Sequence, residues 1–310
     1  MATIYSCLKS VLPTQAVLLA ALIVPHSYAS EEATRSLLDE TRNIAILNDQ
    51  NLTNLTYVLP QPPENATQFR FKMKGYVFGL RMIKSNYVGY VSDTDYAAYA
   101  DIKTSGLGAL LKKLEIWAVS KGTIKDNALH PDFHVQQNQD KKNRRVEMNY
   151  DNTNRSINVN IAPPLGSQGI PPASPEERFA ADDTISAVLS LMMRGHRLEN
   201  EFCTGTVKVF DSKQHYGLRM ERAGTKTRKL NGKKIETLKC NIYYEPINGF
   251  DPEDLPNTEE GTTPVSTYFL SKPDIGFYVP VRFSYKISSI KAVIKLTNWE
   301  ILSPPAATIQ

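Results

Sequence analysis

The sequence predicts a mainly β fold: a curved antiparallel sheet or broken β-barrel with one or two short helices packed on the concave side. Three observations predict it. Apolar and polar residues alternate in run after run of the 310-residue chain, the period at which a strand turns one face to a core. Two pairs of such runs flank turn sequences suited to hairpins. Only two stretches break the rhythm with helical spacing. Many half-buried antiparallel strands imply closure or curling, because a flat open sheet leaves apolar surface and free edges in water.

Residues 1–29 read as a removable signal peptide. Lys9 stands without an acidic neighbour, Ala16 to Val24 is apolar, and Ser27-Tyr28-Ala29 gives a small-x-small cleavage site. The apolar run is about nine residues, against the roughly twenty that cross a hydrocarbon core. No later stretch is long and apolar enough to cross, so no transmembrane segment is expected after cleavage. Cys7 precedes the apolar run and does not occupy the cleavage site, which excludes a lipid-bearing N-terminal cysteine. The expected location is periplasmic.

Residues 30–66 form an arm, flexible or partly helical: acidic from Glu31 to Leu47, then rich in Asn and Pro through Pro60-Gln61-Pro62-Pro63. An exported β domain is expected over 67–302, with a tail at 303–310. Its first strand sets Phe69, Phe71 and Met73 on one face and Arg70, Lys72 and Lys74 on the other. Leu107, Leu110, Leu111 and Leu114 then have helical spacing, so a short helix feeds a strand beginning near Glu115.

Val146, Met148 and Tyr150 alternate, as do Ile157, Val159 and Ile161, and Asp151-Asn152-Thr153-Asn154 turns one run into the other. After the Pro-rich linker 163–175 comes the stronger helix, Thr184 to Arg194. Asp182 or Asp183 can cap it, and Ile185, Val188, Leu189 and Met192 share a face. Runs 219–230 and 233–244 flank Asn231-Gly232, which suits a type I′ turn because both central residues need positive φ. Val279 to Ile287 and Ile290 to Leu296 form the last pair.

Cleavage removes Lys9 and no acid, so formal net charge falls from +4 to +3, too mild a balance to suggest nucleic acid. It also removes Cys7, one of three cysteines, leaving Cys203 and Cys240. An even count in an oxidising compartment predicts a disulfide between them. The competing reading, a redox or metal-binding pair, lacks CxxC spacing or a nearby ligand cluster.

His130 and His134 are four apart, a zinc spacing on a helix, but Pro131 lies between them and Phe133 and Val135 suggest a strand. His196 and His215 stand alone. Asp251, Glu253, Asp254, Glu259 and Glu260 form an acidic loop that could offer oxygen ligands to calcium, without EF-hand spacing. No GxSxG or SxxK is present. No catalytic, cofactor or metal residue is therefore assigned. The basic stretches 141–145 and 226–234 read as edge and turn charges, with docking on an anionic surface as the alternative.

From about residue 68 to 300 the chain resembles the exported bacterial family catalogued as domain of unknown function 3108. The matching pieces are Gly75 and Gly79, Gly106 to Gly108, Pro131, Arg145-Val146 with Tyr150-Asp151, and the capped helix Asp182 to Leu191. They continue with Cys203 to Asp211, Cys240 to Tyr244, Pro246-Ile247, Gly249-Phe250, Pro280-Val281-Arg282 and Ala292 to Leu296. One departure is Ser212-Lys213-Gln214-His215, where the family tends to have Gly and basic residues. The resemblance implies an envelope-located curved β domain, similar in outline to periplasmic lipid-handling and envelope-integrity proteins, and implies no reaction. A non-enzymatic envelope protein is expected, binding a lipid or an envelope protein on its curved surface. A structural module without a small ligand and a hydrolase of envelope polymer are the alternatives.

Overall fold

The computed structural model describes residues 44–46, 55–57, 59–139, 143–193 and 202–302. The expected signal peptide at 1–29, most of the arm, Lys141, Arg194, His196 and the tail 303–310 lie outside the described residues. Within the arm, β1 (Ile44–Ile46) pairs with β2 (Leu55–Tyr57). Over Ile44–Ile46 this corrects the helical reading, since β-branched residues there favour a strand; the rest of Glu31 to Leu47 lies outside the described residues.

A meander follows: β3 (Thr67–Val77), β4 (Leu80–Val91), β5 (Asp95–Thr104), β6 (Glu115–Lys125), β7 (Ala128–Asn138), β8 (Arg145–Asp151) and β9 (Ser156–Ala162). Helix α1 (Leu107–Leu111) joins β5 to β6. The linker then carries α2 (Pro175–Phe179) and α3 (Thr184–Met193). A second meander runs through β10 (Thr206–Phe210), β11 (His215–Leu230), β12 (Lys233–Asn248), helix α4 (Thr258–Thr262), β13 (Val265–Lys272), β14 (Phe277–Ile287) and β15 (Ile290–Leu302). The last strand pairs with the first of the domain, β15 with β3, making one 13-stranded antiparallel sheet whose free edges are β9 and β10.

The turns follow their residues. Asn231 and Gly232 have φ of 48° and 80°, as a type I′ turn requires, and they join Leu230 to Lys233. Asp151 closes the β8–β9 hairpin by accepting from the backbone N–H of Thr153 and Asn154. On β3, Phe69, Phe71 and Met73 are buried as the alternation predicts. Arg70 departs from it: the side chain is nearly covered and lies 4.0 Å from Glu300 across β15.

Curvature follows from what α3 touches. In sheet order, β7 and β10 are ten strand spacings apart, roughly 48 Å if the sheet were flat. Yet α3, ten residues and about 15 Å long, contacts β5, β6, β7, β10 and β14. The sheet therefore curls around the helix. The predicted apolar stripe understates the result, because nine of the ten helical residues are buried. An amphipathic helix on a flat sheet hides one face; inside a broken barrel every side meets a strand.

The linker plugs the break. Asp182 bonds through its backbone to Lys208 and Phe210 of β10. Phe179 and Ala181 pack with residues of both edges, among them Ile157, Val159 and Phe210. On the outer face of β4 to β7, Val88, Tyr90, Tyr99 and Trp117 form a second cluster with Leu59 and Ala66. The end of the arm thus covers apolar surface that would otherwise face water. Cys203 and Cys240 form a disulfide, with Cα atoms 5.6 Å apart, in a cluster with Phe202 and Phe269.

Candidate functional site

The densest polar chemistry among the described residues lies at the start of α3, inside the barrel. Asp183 is the helix cap: Oδ1 accepts from the backbone N–H of Ile185 at 2.8 Å and of Ser186 at 3.0 Å. Asp182, the other predicted cap, instead accepts from Ser190 Oγ at 2.8 Å. The second oxygen of Asp183 accepts from Ser186 Oγ at 2.6 Å and from Ser120 Oγ, on β6, at 2.7 Å. His134 of β7 places Nδ1 2.9 Å from Oδ1. Tyr96 OH meets Ser186 Oγ at 2.7 Å, and Tyr87 OH donates to the carbonyl of Ile185 at 3.1 Å.

Burial pushes the Asp183 carboxyl up, but the adjacent His134 imidazole and the Ser186 and Ser120 hydroxyls outweigh it and hold it below its ordinary value. Burial and then the Asp183 charge push the Tyr87 and Tyr96 phenols up. A Ser–His–Asp set is thus present by composition, but not as a usable triad. Ser120 and Asp183 have no exposed surface and His134 has 2 %, so no substrate reaches the hydroxyl. The acid's lone pairs are occupied by the helix backbone and two serines.

The surface opens beside this cluster. A cavity of about 410 Å³ lies where the β6–β7 turn, the end of α3 and β10 meet at the broken seam. Leu129, Met193 and Val207 give it apolar walls, and Asp182 and Lys208 a polar rim.

The other candidates disperse. His130 and His134 sit on a strand, across from Thr123 and Ser120, where the helical zinc spacing does not apply. No group of three or more His, Cys, Asp or Glu among the described residues is placed to hold a metal. The acidic loop that could have offered calcium ligands is divided among other tasks. Asp251 pairs with Lys213 and accepts from Ser167; Glu260 joins the capping box of α4; Glu259 accepts from Ser288 N and Oγ at 2.7 and 2.8 Å. The departing turn is also used internally, since Asp211 accepts from the backbone of Lys213 and Gln214. His215 lies 3.3 Å from Asn248, with its imidazole pushed down by burial.

Sequence reasoning missed the Ser120–His134–Asp183 meeting. Ser120 and Asp183 are 63 positions apart, and the local sequence marks Asp183 only as a possible cap. For Ser120 the available signal was a polar residue directly after the apolar run Ile116 to Val119.

Residues 70–295 match a family described as "Protein of unknown function (DUF3108)". The chain is also similar to the crystal structure of a β-barrel-like protein of domain of unknown function DUF1849 from Brucella abortus. That likeness has 8 % identity and a TM-score of 0.44, covering 77 % of this chain and 98 % of the other. No curated protein matches.

Proposed function

The chain belongs to the DUF3108 family of proteins of unknown function, and from that premise we propose that it is a non-enzymatic periplasmic protein that supports the cell envelope by binding. The observation that carries this reading is the filled barrel. Helix α3 occupies the concave space, and the Ser120–His134–Asp183 cluster is sealed beneath it among the described residues. Among the described residues, the seam cavity is open to a ligand. Its apolar walls and charged rim suit a lipid-like amphiphile better than a sugar polymer, which needs an extended groove lined with polar groups.

Export rests on the leader pattern at 1–29 and is supported by the Cys203–Cys240 bond, a feature of oxidising compartments. No helix among the described residues is long and apolar enough to cross a membrane.

Mass spectrometry of native protein purified from envelope extracts tests the binding reading. A hydrophobic molecule is expected to co-purify, and Ala128→Trp, which puts bulk into the cavity from an exposed position, is expected to reduce its recovery without lowering the melting temperature. Repeated absence of any such molecule from the wild-type protein would overturn the ligand reading. Two reactive thiols in denatured, unreduced protein from the envelope would overturn the compartment.

A further inference from the structure

At one end of the barrel the rule that large apolar residues turn inward is reversed. The only buried residue of α1 is Gly108. A Cβ there would lie 2.1 Å from the carbonyl oxygen of Met82, and one at Gly106 would lie 2.7 Å from that of Arg81. The two glycines thus let α1 press against the start of β4. The leucines between and after them point out: Leu107, Leu110 and Leu111 are 39, 83 and 47 % exposed. Their i, i+3, i+4 spacing makes one apolar face that no other described residue covers.

The neighbouring hairpin turn adds to that face. Phe78 and Gly79 join β3 to β4 with φ of 50° and 81°, the type I′ geometry that favours Asn-Gly. Phenylalanine at a left-handed position is strained, and here the ring is also 61 % exposed, beside Leu80 at 53 %. Neither conformational preference nor burial accounts for an aromatic residue at this turn. Five of the nine exposed large apolar residues among those described gather at this rim.

The surrounding charge is positive. Arg81, Lys112, Lys113 and Lys291 are exposed around the rim. Inside it, burial and then the charges of Lys103 and Arg81 push the Lys84 ammonium down. Glu115 is paired with Lys103. Glu259 and Glu260 lie beyond the β14–β15 turn, on the other side of β15 and β3 from α1.

We propose that this rim, with Phe78, Leu80 and the α1 leucines ringed by Arg81, Lys112, Lys113 and Lys291, docks the protein onto an anionic phospholipid surface. Exposed leucines and a phenylalanine enter the acyl boundary, while lysine and arginine reach the phosphates from its edge. A second copy of the chain fits less well, since a two-fold contact would set the same cationic collar against itself. The inference does not depend on the seam cavity; a protein that binds no small ligand can still dock by its rim.

Co-sedimentation of the purified mature protein with vesicles tests it. Vesicles of phosphatidylcholine with about a third phosphatidylglycerol should retain the protein, and pure phosphatidylcholine should hold it roughly tenfold more weakly or less. Leu110→Asp with Leu111→Asp should abolish retention. Lys112→Glu with Lys113→Glu should weaken it about tenfold or more on the anionic vesicles. Phe78→Asn separates docking from stability, because it installs the preferred turn residue. It should melt no lower than the wild type and yet bind vesicles less. The proposal is overturned if the wild-type protein stays in the supernatant with anionic vesicles, or if these variants bind as it does. Dimers that disappear in the leucine variants, without vesicle binding by the wild type, would assign the rim to self-association instead.

Discussion

Asp101 sits on β5 with its carboxyl buried, and burial raises its pKa from 3.8 to about 8, against the pull of the Tyr99 hydroxyl and the Lys103 charge. Across β4 it faces Asn86, and each of the two has a buried side-chain oxygen without a hydrogen-bond partner. A carboxyl that stays protonated in the fold but ionises in the unfolded chain destabilises increasingly as pH rises from 3.8 towards 8. Asp101→Asn removes that penalty at constant shape. It should raise stability by about 1–3 kcal/mol at pH 8 and by little at pH 4, read as melting temperatures across that range. Asp183 behaves oppositely. Its pKa is lowered in the fold, so its contribution is full above the ordinary carboxylate value and is lost on acidification through the folded one. Asp183→Ala removes the α3 cap and leaves Ser120 and Ser186 without their acceptor, at a cost of about 2–4 kcal/mol near neutral pH. Coupling with Ser120→Ala in a double-mutant cycle checks that the two act together. Of this chemistry, only the cap was legible in the sequence, as an acid preceding an apolar run. That Ser120, His134 and Tyr96 meet it depends on strands that approach α3 from elsewhere in the chain.

Among the elements, those governed by neighbours in sequence matched expectation. Asn231-Gly232 makes the β11–β12 hairpin because both residues tolerate positive φ, and the β8–β9 pair forms around its Asp-Asn turn. Helix α3 was legible as a helix but not as a core. One face was expected to pack, and nine of ten residues do. Leu189 is fully buried in the central cluster, so Leu189→Ala should cost about 2–5 kcal/mol in a denaturant titration, whereas Ser190→Ala, at a half-buried position, should cost less. Helix α1 was legible as a helix from its leucine spacing, and Gly106 and Gly108 decide that the leucines turn out. A periodic pattern shows that residues share a face and leaves open which way it points.

For the whole molecule, the connection of β15 to β3 matters most, because it makes two consecutive meanders one sheet around one core. Residues of β3, β5, α3, β10 and β14 share the largest cluster, so both halves build the central core. Unfolding should be a single transition with tyrosine fluorescence and far-ultraviolet circular dichroism coincident; two resolved transitions would divide the domain. The disulfide spans 37 positions, and on the chain-entropy model its reduction should remove about 4 kcal/mol, lowering the melting temperature by roughly 10 °C. Acting alone, the sequence determined the β class, the hairpins and the cysteine pair, and narrowed the cap to Asp182 or Asp183, since each depends on local spacing, turn conformation or residue count. Tertiary structure alone decided that the linker plugs the seam, that α3 fills the barrel, and that leucines and cations gather at one rim. Those outcomes depend on which distant strands become neighbours, and the burial of a residue is set by what the rest of the chain brings against it.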